Sequence, residues 1–151
     1  METAYQHQCY HFVAMTWLDQ KLEALKSSRA SDIAIRQEAP VLFGEVWNQI
    51  TTIVTEANTK GFSIRPNGNS EKRRLHYVSG PGRPSNGSDD FIEICLSQDK
   101  HSIEVSTSSA GVLSFDLREN AFAVVCIYLN REVKTADQTA EIIMSEFLGL
   151  G

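Results

Sequence analysis

Lys72, Arg73, Arg74 and Arg83 place four cations within twelve residues of a chain whose formal net charge is −5. Ammonium and guanidinium groups gathered in this way can dock an acidic protein surface, an RNA backbone or a phosphorylated ligand through charge-assisted hydrogen bonds. On an extended strand Lys72, Arg74 and His76 share one side, while Arg73, Leu75 and Tyr77 share the other. The basic group is therefore split between two faces. Lys72, Arg73, Arg74, His76 and Arg83 are the candidate binding residues. A plainer role stands beside that one, since lysine and arginine also guard an exposed strand against aggregation.

The stretch SGPGRPSNGSDD, Ser79 to Asp90, follows closely. Gly82 and Gly87 have the spacing of a phosphate-binding loop, but Ser88 stands where the lysine that reaches the terminal phosphates belongs. Gly80 and Gly82 can open a dinucleotide fingerprint, yet Ser85 replaces its third glycine and a strand follows where the anion needs a helix N-terminus. A slack hairpin connection is the better account.

Other groups fail in similar ways. His7 and His11 lie one helical turn apart, but a zinc site needs three or four ligands and no further one can be named. Asp89 and Asp90 are adjacent and point to opposite sides of a strand, and Glu93 between Ile92 and Ile94 is the polar side of an alternating pattern. No serine sits in a nucleophile elbow. No catalytic residue, metal site or cofactor is assigned.

Composition narrows the classes. The length of 151 residues suits one domain, residues 1–151, with a core that needs no staples. Apolar residues make up 42% and charged residues 22%, the balance of an ordinary globular chain. The acidic balance argues against a general nucleic-acid or membrane binder. Three scattered cysteines form neither a disulfide framework nor a zinc site, and Cys95 and Cys126, inside apolar runs, read as small core residues of a cytoplasmic protein. The longest apolar run, Ala121 to Leu129, is far short of the roughly 20 residues that span a bilayer.

The elements that must position these groups follow from periodicity. His11, Met15, Leu18, Leu22 and Leu25 recur at three- and four-residue steps and predict a first helix. Pro40 suits the first turn of a second helix, along which Phe43, Val46, Trp47, Ile50, Ile53, Val54 and Ala57 form a stripe ending before Gly61. The period then changes to two. Alternation at Phe62 and Ile64, an Asn67-Gly68 turn, Leu75 and Tyr77, FIEICL, SIEVS, VLSFDL and AFAVVCIYL predict about six strands, the last buried on both faces. Thr135 and Gln138 form a capping box for a final helix carrying Ala136, Ala140, Ile143, Met144 and Phe147, stopped by Gly149.

The expected fold is α+β: two N-terminal helices, a mostly antiparallel meander, and one C-terminal helix, with the helices on one face of the sheet. The expected function is that of a cytoplasmic interaction module without catalysis, working through a protein partner or as a homodimer, with end strands open to β-augmentation. The alternatives are a small-ligand site or enzyme pocket between sheet and helices, and anion or nucleic-acid binding by the basic hairpin from Lys72 to Arg83.

Overall fold

The computed structural model describes residues 2–68, 72–82, 90–107 and 112–150, with side chains from Thr16 onward. Two units emerge, Met1–Ala34 and Ile35–Gly151. The first is helix alone. The second holds a helical segment, a sheet and a final helix.

The two predicted N-terminal helices are one: α1 spans Glu2–Thr59 and passes through Pro40. Proline removes one backbone donor and crowds the preceding turn, which often breaks a helix. Here Pro40 is exposed while Ala39 and Phe43 are buried, so its ring lies on the solvent side. On the exposed side of a helix the loss of one backbone donor is tolerated, because the packed side keeps its contacts. Within the second unit, Ile35, Ala39, Phe43, Val46, Ile50, Val54 and Ala57 are buried at helical spacing, while Trp47 and Ile53 on the flanks are half-buried.

The strands are β1 (Ser63–Gly68), β2 (Lys72–Ser79), β3 (Asp90–Leu96), β4 (Ser102–Thr107), β5 (Val112–Glu119), β6 (Val125–Leu129) and β7 (Glu132–Lys134). They lie in chain order as one seven-stranded sheet, and every neighbouring pair is antiparallel. The α+β class and the meander are thus as the alternation predicts, with one more strand.

That strand comes from dividing the run AFAVVCIYL. Residues 121–124 form a loop, held because Asn120 Oδ1 accepts from the amides of Phe122 and Val124, and the Asn120 amide donates to the Val124 carbonyl. Its apolar composition imitates a strand. Asn130 and Arg131 then both adopt positive φ, the pairing of a tight hairpin turn, and return the chain as β7. β6 is buried on one face only: Val125 and Ile127 are covered, Cys126 and Tyr128 half-exposed.

Asn67 and Gly68 do not form the hairpin turn itself; they remain in β1, paired with Arg74 and Arg73. Gly68 has φ +108°, and a Cβ there would collide with the Lys72 carbonyl. Gly68→Ala is accordingly expected to cost about 1–3 kcal/mol of stability. Urea unfolding of the two chains measures this, and an unchanged midpoint would show that the hairpin tolerates a side chain.

α2 spans Ala136–Leu148, with the capping box in place: the Thr135 hydroxyl accepts from the Gln138 amide at 3.1 Å, and Gln138 Oε1 accepts from the Thr135 amide at 3.0 Å. Gly149 ends the helix in the left-handed region. Ala140, Ile143, Met144 and Phe147 are buried.

Both helical segments of the second unit cover the same face of the sheet. Arg73 and Tyr77 are on one side of β2; Arg73 lies over the Trp47 ring of α1, and Tyr77 meets Phe147 of α2 edge to face. That face carries the core: Ile64, Leu75, Ile92, Ile94, Ile103 and Val105, then Phe115, Leu117, Val125 and Ile127. The other face carries mainly polar groups, with Phe91 and Cys95 among them.

Candidate functional site

The open face of β2 and β3 holds three of the sequence-predicted residues. Lys72, Arg74 and His76 stand opposite Cys95, Glu93 and Phe91, so period-two alternation correctly assigns their common side. Arg74 reaches across to Glu93 with Nη2 2.7 Å from Oε2, and its guanidinium lies 4.4 Å from the centre of the Phe91 ring. His76 packs against the same ring at 6.1 Å. The carboxylate largely neutralises Arg74 as an anion ligand, so this arrangement is a cross-strand pair that stabilises the sheet.

Arg73 is separated from them by the sheet. Its guanidinium carbon lies 5.4 Å from the Trp47 ring centre, on the helix-covered side. Its Nε is buried and has no hydrogen-bond partner among the described residues. Arg83, and the phosphate-loop spacing argued around it, lie outside the described residues, as do the side chains of His7, Cys9 and His11. The basic cluster is therefore not one surface.

A buried donor without a partner costs stability, and an apolar side chain of similar length removes that cost while keeping the packing on Trp47. Arg73→Met is expected to match or exceed the native chain in thermal stability, whereas Arg73→Ala falls below it through lost packing. Should Arg73→Met instead be clearly less stable, the guanidinium has a partner in solution that stabilises it.

The two cysteines with described side chains are not core residues. Cys95 and Cys126 alternate with the buried positions of β3 and β6 and sit half-exposed on the open face. Burial raises the pKa of the Cys95 thiol, and the Glu104 and Glu93 carboxylates raise it further, with Lys72 opposing them in part. A raised thiol pKa reduces the thiolate fraction, the reverse of what a nucleophile requires.

The polar residues Gln98 to His101 predict the turn that joins β3 to β4, but the sequence assigns no candidate site to it. Arg36, Ser97, Gln98 and Asp99 line a shallow concavity of about 480 Å³ there. Asp99 Oδ1 accepts from the Ser97 hydroxyl at 2.6 Å and from the His101 amide at 3.0 Å. These two bonds, together with the charges of His101 and Arg36, lower the pKa of the carboxyl. The spacing Ser97-Gln98-Asp99 is the available signal for such a side-chain-locked turn.

A carboxyl whose pKa is lower in the folded chain adds stability above its unfolded pKa, and that stability is lost as the pH falls through the folded pKa. Asp99→Asn should therefore lower the melting temperature at neutral pH and have no effect at a pH below the folded Asp99 pKa. Melting curves across the acid range check this, and a difference independent of pH would contradict it.

A different class of surface lies in the first unit. Trp17, Leu18, Leu22, Leu25 and Ile33 are exposed, with Leu18, Leu22 and Leu25 between 45% and 49% accessible. They are apolar residues at helical spacing that stay exposed among the described residues. Among the described residues no helix is long and apolar enough to cross a membrane. No family model, curated protein or solved structure matches the chain.

Proposed function

We propose that the chain is a cytoplasmic protein-interaction module that performs no catalysis and works through a protein partner or a second copy of itself. The exposed apolar stripe from Trp17 to Ile33 in the first unit is the observation that carries this reading. A single helix has no second layer on which to bury an apolar face, and most helical stability in water comes from such packing. The stripe supplies the surface that a partner would complete.

The sheet edges lend less support to β-augmentation than the helix does to helix pairing. β1 carries Pro66 on its edge, and β7 is three residues long with Glu132 and Lys134 flanking Val133. Proline, charge and shortness are the usual means of blunting an edge. A second reading, a small-ligand pocket between sheet and helices, is favoured only by the unpartnered Arg73 Nε. Anion docking on the basic hairpin is weakened by the Arg74–Glu93 pair.

Light scattering on freshly purified full-length protein, over a range of concentration and salt, tests the proposal. A dimer or a stoichiometric protein partner is expected. A clean monomer that carries a small molecule or nucleic acid would overturn it.

A further inference from the structure

Resting on the interaction reading above, we infer that the partner of this helix is a second copy of the chain, paired antiparallel over the segment from Leu18 to Arg29. The steps between Leu18, Leu22, Leu25, Arg29 and Asp32 are four, three, four and three residues, which is the a and d seam of a coiled coil. Leu22 and Arg29 then hold a positions, Leu18, Leu25 and Asp32 hold d positions, Asp19 and Lys26 hold e positions, and Lys21 and Ser28 hold g positions. All of the residues from Trp17 to Ala30 are exposed in the single chain.

Charge decides the orientation. In a parallel, in-register dimer each g residue faces the e residue five positions further along its partner. Lys21 would then face Lys26 of the second copy, twice, and the Arg29 layer would set like charge against like in the seam. In an antiparallel pair a faces d, and e faces e. Setting Leu22 against Leu25 places Asp19 against Lys26, and the two-fold axis repeats each contact. Leu18 then lies along the aliphatic stem of Arg29, whose head reaches water, and Lys21 meets only Ser28.

The segment is thus self-complementary in the sense that a two-fold interface requires, with residue i meeting j and j meeting i. A negative charge before the leucine pair and a positive charge after it give this palindrome. Lys26 remains available for the contact. Its intrachain neighbour Glu23 is 3.9 Å away with both side chains more than 70% exposed, a pair of little energetic weight.

Sedimentation equilibrium of the full chain with charge-swapped variants tests the inference. Lys26→Glu alone and Asp19→Lys alone each replace two attractive contacts by two repulsive ones and are expected to weaken the dimer about tenfold. The double variant Asp19→Lys/Lys26→Glu restores both pairs and should return to within about threefold of the native chain. All four chains should show the same melting of the second unit, which confirms that they fold. A dimer strengthened by Lys26→Glu would show parallel pairing and overturn the inference. So would a dimer indifferent to every swap, which leaves the interaction reading intact on another surface. A monomer bound to a different protein overturns the inference while that reading stands; a monomer without any protein partner removes both.

Discussion

Phe115→Ala is expected to lower the unfolding free energy by about 3–5 kcal/mol, the range for deleting a fully buried phenylalanine. Phe115 is 0% exposed at the centre of β5 and pairs in register with Ile103, itself fully buried on β4. Removing the ring loses both the transfer free energy and the dispersion contacts of its neighbours, because a packed interior relaxes only in part. The loss is a large share of the 5–15 kcal/mol typical of a natural protein. Urea unfolding followed by the fluorescence of half-buried Trp47 would report it as a lower midpoint with an unchanged slope. A loss below about 1 kcal/mol would show that the ring does not fill a packed core. In dilute solution, where association contributes nothing, self-association plays no part in this result.

Leu22→Asp produces the opposite pattern. Leu22 is half-exposed in the single chain, so a carboxylate there removes no core contact and the melting of the second unit stays as it was. In the dimer the same change places a charge in the apolar seam twice, once for each copy. Association is expected to weaken by about a hundredfold or more. Sedimentation over a wide concentration range measures the shift, and the same dimer mass at every concentration would remove Leu22 from the interface. Together the two variants separate the scaffold from the contact surface: one residue governs stability, the other assembly.

Much of the fold was legible because its signals are local. Alternation at Leu75 and Tyr77, Ile92 and Ile94, and Ile103 and Val105 marks the covered face directly, and Thr135 with Gln138 announces α2 through side chains that bond to the backbone beside them. The misreadings arise where local chemistry meets tertiary context. Pro40 reads as a helix start, yet a proline on the solvent side of a helix packed elsewhere is tolerated at the loss of one hydrogen bond. Ala121, Phe122, Ala123 and Val124 have the composition of a strand; the side-chain and backbone hydrogen bonds of Asn120 hold them as a loop instead.

The candidate site was legible in part for the same reason. That Arg73 and Arg74 face opposite ways follows from the pleat. That Arg74 pairs with Glu93 does not, because register across β2 and β3 depends on a long connection whose length carries no pairing rule. The half-exposed cysteines were misplaced because apolar neighbours on both sides suggested full burial, whereas the sheet is covered on one face only. The leucines of the first helix were visible as a stripe, but a sequence does not say whether a stripe faces its own sheet or a partner. Leu22 and Phe43 look alike in that respect; only the fold distinguishes them, one exposed and one buried.

Hydrogen exchange of the amides from residue 16 to 34, measured on the full chain at low and high concentration, tests most directly whether this helix is held by a second copy. An isolated single helix opens locally at little cost, so its amides exchange fast, while packing slows them. Fast exchange is expected in dilute solution and strong protection at high concentration for this segment, with the amides of β3 to β5 protected at both. Amides from residue 16 to 34 that exchange equally at every concentration would contradict it.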